Sequence, residues 1–357
     1  MILPALFCAI GLPIGFLLIW RVPLCPRARS ADASDLSIII PARNEEENLP
    51  RLLSSITNSS AQPLEVLVID DASTDGTTAV AASFGSNVIP APPKPAGWTG
   101  KAWACHHGAT HARGNLLLFL DADTYFAPGG LERLLAFWQR RQNPRLVLSI
   151  LPFHGMSAAY EQLSLFFSIL MAAGAGGFGA FAEPRLFGQS LLIAKQTYLD
   201  AGGHSAVRGI ILENLRFAGP LRQSGARIQC LGGRGMLNMR MFPQGFRQMS
   251  QSWSKAFLQG AADSGRFVLS ASILWITALW STMLLFLFAP QPARLSLLVV
   301  YLLFALQLAF IARTLGNFRI LTCLLYPIPL AYYCGLFGLS ALYRAMGRKP
   351  VWRGRPV

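Results

Sequence analysis

The sequence predicts an α/β fold, a mostly parallel sheet within one long block, with transmembrane helices at both ends of the chain. Three observations predict it. The run Leu116-Leu117-Leu118-Phe119-Leu120 ends abruptly in Asp121-Ala122-Asp123. A short run that is apolar at every position reads as a strand covered on both faces, as in parallel sheets. Short apolar runs alternate with helix-periodic stretches through residues 36–262, the pattern of strands joined by crossover helices. Long apolar stretches flank that block, at 1–22 and at 268–343.

Residues 3–20 are almost wholly apolar and are followed by Arg21, Arg27 and Arg29. A secretory signal would carry a basic region before its apolar stretch and a small-x-small cleavage site. Neither is clear here, so 1–22 is read as an uncleaved membrane anchor. The arginines after it place the next segment in the cytoplasm.

Strands are predicted at 36–40, 64–69, 116–120 and 146–151. Helices are predicted at 45–56, whose apolar positions include Leu49, Leu52, Leu53 and Ile56, and at 101–113 and 131–141. The stretch 160–182 is apolar but broken by Gly174, Gly176, Gly177 and Gly179. It reads as a membrane-surface element or the lining of an acceptor groove, not a span. Of three late apolar stretches, 268–289 and 295–312 are long enough to cross a bilayer, which takes about 20 residues. The third, 320–343, contains Pro327 and Pro329. A basic tail occupies 344–357. Four full spans from an outside amino terminus would leave that tail outside, against the positive-inside tendency. One late segment is therefore expected to be re-entrant or interfacial.

Of 357 residues, 53% are hydrophobic and 13% charged, about half the usual charged fraction of roughly 25%. Mean hydropathy is +0.41. The net charge is +14, and no acidic residue follows Asp263. Basic residues flanking apolar segments fit an anionic membrane leaflet. No zinc finger, aromatic RNA-binding signature or long basic run is present, so nucleic acid is not an expected partner. The six cysteines include no Cys-x-x-Cys pair, so reduced thiols facing the cytosol are expected. The histidines 106, 107, 111, 154 and 204 show no zinc-ligand spacing.

Four polar signals then fall in order. Pro41-Ala42-Arg43-Asn44-Glu45 follows the first strand, and Asp70-Asp71-Ala72-Ser73-Thr74-Asp75-Gly76-Thr77 follows the second. Gly97-Trp98-Thr99-Gly100-Lys101 opens a helix, and Asp121-Ala122-Asp123 ends the covered strand. Each lies after a strand or at a helix start, on the rim where open α/β sheets bind nucleotides. Asp-x-Asp there can hold a hard divalent cation through oxygen, and the cation can bridge a diphosphate. Taken singly, each has an ordinary reading: a surface turn, a helix cap, a solvated lysine. Together, in this order, they are hard to explain by chance.

From about residue 36 to 260 the chain resembles the family 2 glycosyltransferases of the GT-A fold, a Rossmann-like architecture. The Pro-Ala-Arg-Asn-Glu start, the Asp-Asp-x-Ser-x-Asp-Gly-Thr turn and Asp-Ala-Asp carry the resemblance. A narrower one, to carotenoid-acid glycosyltransferases, rests on Gly100-Lys101, Ala104-Cys105, the run Gly108 to Ala112, Gly202-Gly203-His204, Gln244-Gly245-Phe246, Trp253-Ser254-Lys255 and Gly260-Ala261. Gly97 to Lys101 is also similar to hopene-associated glycosyltransferases, so the lipid stays open. The resemblance implies a membrane-bound, inverting, metal-dependent hexosyltransferase. It would take a sugar, glucose from UDP-glucose by preference, to a lipophilic acceptor among membrane lipids. The catalytic block of a multi-pass cell-membrane protein would face the cytoplasm. Ala42, Arg43 and Glu45 would shape the nucleotide pocket. Asp70 or Asp71 would bind uracil or ribose, Lys101 would lie near the base or diphosphate, and Asp123 with Asp121 would hold Mg²⁺ or Mn²⁺. A polyprenyl-phosphate glycosyltransferase is the second enzyme reading. A membrane scaffold is the reading of another class, disfavoured because it needs no metal site.

An acceptor hydroxyl usually needs a general base. The family often has Glu-Asp where this chain has Glu213-Asn214. Glu213 is the candidate base, with a structural or sugar-binding role as the alternative, because Asn214 replaces the acid that serves in many relatives. A carboxylic acid acceptor, with a pKa near about 4.3, is already ionised at neutral pH. The missing acid leans towards that acceptor. The family's Gln-x-x-Arg-Trp motif is imperfect: Ser252 stands in place of Arg before Trp253, which argues against a processive polysaccharide synthase. Trp253 either packs beneath the acceptor or anchors an interfacial helix, and Arg247 and Lys255 are candidates for the missing charge. His204, after Gly202-Gly203, is placed beside the acceptor loop.

Overall fold

The computed structural model describes the backbone of residues 3–180, 183–210, 213–263, 265–345, 351–352 and 355–356, and the side chains of 5–180, 183–210, 213–254 and 265–342. The chain divides into two compact units: 22–154 with 183–240, and 1–21 with 155–182 and 241–357.

The first unit is built on a seven-stranded sheet. Its strands are β1 (Leu36–Ala42), β2 (Glu65–Asp70), β3 (Asn87–Pro90), β4 (Leu116–Leu120), β6 (Leu146–Leu151), β8 (Ser190–Ala194) and β9 (Arg227–Gly232), in the order β3-β2-β1-β4-β8-β6-β9. A small sheet joins β5 (Thr124–Phe126), β10 (Leu237–Met239) and β7 (Phe153–His154). Within the seven-stranded sheet pairing is parallel except where β8 runs against β4 and β6. The sheet is thus mostly parallel, as expected, and every predicted strand and helix of the block is present.

Side-chain alternation along each strand explains why the runs read as continuously apolar. Ile38, Ile40, Val68, Leu118 and Leu120 face one way, onto Leu49, Leu52, Leu53 and Ile56 of helix Leu49–Thr57 and Leu131, Leu134 and Leu135 of helix Gly130–Gln139. Ile39, Leu67, Ile69, Leu117 and Phe119 face the other way, onto Ala104, Cys105 and Ala109 of helix Gly100–His111 and Phe217 and Leu221 of helix Glu213–Gln223. Gly108 lets the former helix lie close, since a Cβ there would come within 2.5 Å of Ile39. The carboxyl ends of β1, β2 and β4 therefore share one rim.

The second unit is helical. Arg266–Phe288 and Gln291–Leu315 have 23 and 25 residues, or roughly 35 Å and more at about 1.5 Å per residue, enough to cross a bilayer. Both present large exposed apolar side chains, with Phe288, Leu295 and Leu306 the most open. The amino-terminal stretch is not one helix of spanning length. It forms Leu3–Ala9 and Gly11–Leu18. The break at Ile10 follows from Pro13, whose ring would clash with the Ala9 carbonyl four residues back. The second short helix docks tightly: a Cβ on Gly11 would meet Ala278 and Phe304, and one on Gly15 would meet Gln307 and Trp275. Buried Gln307 accepts from the Trp275 indole at 3.1 Å and donates to the Leu12 carbonyl at 2.6 Å.

The stretch expected as interfacial, 160–182, contains a 12-residue helix, Leu165–Gly176, too short to span and mostly buried within its unit. It ends at Gly177, whose φ of 60° lies in the left-handed region that favours glycine. Residues 181–182 lie outside the described set. The third late stretch splits into Ile320–Leu324 and Pro327–Ala345, because Pro327 has no N–H to continue the first helix. Most of the basic tail also lies outside the described residues.

Candidate functional site

Two loops leave the shared rim after β1 and β2 and are laced together. The Asp71 N–H donates to the Ala42 carbonyl at 2.9 Å, and Arg43 pairs with Asp71 at 3.2 Å. The Thr74 N–H donates to Asn44 Oδ1 at 2.8 Å, and the Glu45 N–H to Thr77 Oγ1 at 2.8 Å. Asp70 caps the turn, accepting from the Ser73 N–H at 3.2 Å. Asn44 and Ala72 have φ of 54° and 56°. For alanine this left-handed geometry costs about 1 kcal/mol, the kind of strain found where a backbone is shaped for a ligand.

The third motif docks on the second. Thr99 caps helix Gly100–His111 by accepting from the Ala102 N–H at 3.3 Å. A Cβ on Gly100 would come within 2.5 Å of an Asp71 carboxylate oxygen, so glycine lets the helix start there without displacing Asp71.

Lys101 then points into the rim. Its Nζ lies 2.6 Å from Asp121 Oδ1, 3.5 Å from Glu213 Oε1 and 2.9 Å from the Gly188 carbonyl. Burial would lower its pKa, but the Asp121 and Glu213 carboxylates outweigh that and hold it well above its ordinary value. Glu213 is 4% exposed and opens its helix. Burial raises its pKa, and Lys101 opposes the rise. Leu212, before it, lies outside the described residues.

Asp123 completes the arrangement. Its Oδ1 is buried with no hydrogen-bond partner. Burial raises its pKa, and the charges of Asp121 and Glu45 add to the rise. Among the described residues no group of three or more His, Cys, Asp or Glu side chains gathers to hold a metal. What the protein offers is the unpartnered Asp123 Oδ1 beside the carboxylate of Asp121, which is paired with Lys101. That donor set fits a hard cation taking its remaining ligands from phosphate and water, the usual habit of Mg²⁺.

Nine of the sequence-predicted positions, Ala42, Arg43, Glu45, Asp70, Asp71, Lys101, Asp121, Asp123 and Glu213, thus gather on one rim of one unit. His204 is in the same unit but inside its core, 1% exposed. The Tyr198 hydroxyl lies 2.9 Å from its Nδ1, and Phe119 and Phe217 pack on its ring. Its contribution there is packing, because Gly202-Gly203 turns the chain inward. Trp253 belongs to the other unit. It is buried, stacks on Phe167 with centroids 4.7 Å apart, and donates to Ser164 Oγ at 3.1 Å. Arg247 is exposed, and the Lys255 side chain lies outside the described set. The residues that sequence reasoning missed are Gly188 and Gln189. The Gly188 carbonyl receives Lys101 and Asn214, and the Gln189 carbonyl receives the Asp121 N–H at 3.0 Å. The apolar run Leu191-Leu192-Ile193 right after them was the available signal.

Burial of His204 and His154 has a measurable consequence. It lowers their pKa values from 6.5 to about 3 and about 4. Between these values and 6.5 the unfolded chain binds protons that the folded chain refuses. The histidines' contribution to stability is therefore complete above about pH 6.5 and is lost on acidification, by about 1.4 kcal/mol per pH unit for each, while the raised pKa values of Asp123 and Glu213 act with the opposite sign. Thermal unfolding in detergent should therefore show wild type losing more stability between pH 7 and 5 than His204→Gln does; identical slopes would contradict the burial.

The family described as glycosyl transferase family 2 matches residues 37–207. The chain is 30% identical over 331 residues to 4,4'-diaponeurosporenoate glycosyltransferase of Staphylococcus aureus, strains MRSA252 and USA300, covering 90% of this chain and 87% of each relative. Among solved structures, the mannosyltransferase PcManGT from Pyrobaculum calidifontis, in complex with GDP-Man and Mn²⁺, aligns with a TM-score of 0.52 at 17% identity. It covers 96% of both chains, and the likeness is one of fold.

Proposed function

The chain belongs to glycosyl transferase family 2, and from that premise we propose that it transfers glucose from UDP-glucose to a lipophilic carboxylic acid of the carotenoid type at a membrane. The observation that carries the reading is the Lys101, Asp121 and Glu213 cluster beside the unpaired oxygen of Asp123. The similarity to 4,4'-diaponeurosporenoate glycosyltransferase along 90% of the chain supports the acceptor class. A scaffold would have no reason to keep a buried, charged cluster that costs desolvation.

In the proposed reaction an acceptor oxygen attacks the anomeric carbon of the sugar. The bond from that carbon to the diphosphate oxygen breaks, and its electron pair leaves with UDP, with inversion at the carbon. The loops at 42–46 and 70–77 hold the nucleoside, with Asp70 or Asp71 on uracil or ribose. Lys101 offsets charge that grows on the departing diphosphate, a role that gains strength away from water. Asp121 and Asp123 would hold Mg²⁺ or Mn²⁺, which when bound neutralises the same charge. Glu213 stands ready to take the proton of a hydroxyl acceptor; a carboxylate brings none.

Membranes carrying the protein should move radiolabel from UDP-glucose into an added carotenoid acid. Label in a polyprenyl phosphate or hopanoid instead would transfer the reading to that acceptor. No label from any nucleotide sugar would support the scaffold.

The two long apolar helices and the arginines after the first apolar stretch support a multi-pass cell-membrane protein whose catalytic block faces the cytoplasm. Ser83 is exposed, and five of the six native thiols are buried, so a Ser83→Cys variant reports on sidedness. An impermeant maleimide should label it only after cells are opened; ready labelling of intact cells would reverse the orientation.

A further inference from the structure

We propose that Asn214 and Gln189 form a hydroxyl-binding pair for the transferred sugar, two amide oxygens that accept O–H bonds from a polyhydroxylated ring. The inference rests on the reading of the rim as a nucleotide-sugar site.

Asn214 is 4% exposed. Its Nδ2 donates to the Gly188 carbonyl at 2.9 Å and reaches the Phe187 carbonyl at 3.4 Å. Those two acceptors settle which end of the amide is nitrogen, because a flipped side chain would set oxygen against oxygen. Oδ1 is consequently turned away from the 187–188 backbone, and it is buried with no partner. Gln189 Oε1 is likewise buried and unpartnered. Buried acceptors are normally satisfied, so each of these oxygens, on residues joined through the Gly188 carbonyl and its neighbour, calls for a donor from outside the chain.

Both residues are tied to the reacting end of the rim. Asn214 shares the Gly188 carbonyl with Lys101, and the Gln189 carbonyl holds the Asp121 N–H. The chemistry of the pair selects the ligand. A diphosphate brings acceptors only, and a hard cation is better served by the Asp121 and Asp123 carboxylates. Sugar hydroxyls are donors, and they are neutral. An aspartate at 214 would set a fourth carboxyl group beside Asp121, Asp123 and Glu213 and would lose both N–H groups that face the 187–188 backbone. Asparagine at this position therefore exchanges a proton acceptor for a hydroxyl reader.

The test uses the full-length protein in detergent with Mn²⁺ and no lipid acceptor. Calorimetry measures binding of UDP, UDP-glucose and the UDP-glucose analogues lacking one sugar hydroxyl at a time. The wild type should bind at least one deoxy analogue about tenfold or more weakly than UDP-glucose, as sites built around a hydroxyl do. Asn214→Leu and Gln189→Leu should keep UDP binding and lose that discrimination. Gln189→Glu retains an acceptor and should retain it. Since Asn214→Leu also strips two backbone carbonyls of their donor, Gln189→Leu gives the reading independently. A wild type indifferent to every hydroxyl, or variants that weaken UDP and all donors equally, would overturn the pair. A wild type that binds no UDP would overturn the underlying site reading instead.

Discussion

Asp123→Asn is expected to lower sugar transfer by at least about 10²–10³-fold, the scale set by removing one charge-stabilising group from an active site, while the fold stays intact. The substitution keeps shape and removes charge. Asp123 Oδ1 has no hydrogen-bond partner to lose. Burial, and then repulsion from Asp121 and Glu45, already raise the pKa of the Asp123 carboxyl, so a neutral amide avoids a desolvated charge, and the thermal midpoint should hold or rise. What disappears is one of two carboxylates fitted to a divalent cation. Chelation with EDTA should reproduce the loss in the wild type, and Mg²⁺ or Mn²⁺ should restore it there but not in the variant. Full activity in EDTA would remove the metal from the mechanism.

The parts legible in the sequence were those whose signal lies in consecutive residues. Strands β1, β2 and β4 carry uninterrupted apolar runs, Ile38-Ile39-Ile40, Val66 to Ile69 and Leu116 to Leu120, because helices cover both faces, and the polar loops leave the strand ends within one or two residues. Asp121 and Asp123 were readable for that reason, and Lys101 because it opens a helix after Thr99-Gly100. Strand β9 was not, since Arg227-Ile228-Gln229-Cys230 alternates like a surface segment, and β3 has only four residues at an edge. Strand β8 was hidden behind the long apolar stretch before it. Missing it also hid Gly188 and Gln189, whose backbone carbonyls and not their side-chain types meet Lys101 and Asp121. The amino-terminal stretch misled in a different way. Hydropathy adds up residues and is blind to a helix break, which here falls beside Gly11 and Pro13. His204 carried a motif flanked by glycines, and only the packing around Tyr198 reveals that it points into the core.

The product is expected to be a glycosyl ester, all of whose sugar is released by mild alkali. By the family resemblance, Asn214 stands where many relatives carry the acid that serves as base; an amide takes no proton at neutral pH, and its Nδ2 is committed to the Gly188 carbonyl. Glu213 remains, buried and with a raised pKa, which suits it to take a proton from an alcohol. Its carboxylate also faces Lys101 at 3.5 Å, and that ion pair explains its presence without proton transfer. Glu213→Gln distinguishes the two roles. With a hydroxyl acceptor the amide should cut turnover by about 10²–10⁴-fold, the usual contribution of a general base. With a carboxylate acceptor the nucleophile arrives charged, Lys101 keeps Asp121 at 2.6 Å, and the loss should stay within about tenfold, below that range. Turnover and alkali lability must then agree. A labile product with a small Glu213→Gln defect is the expected pair of results. An alkali-stable product with a large defect would assign Glu213 as the base and the acceptor as an alcohol.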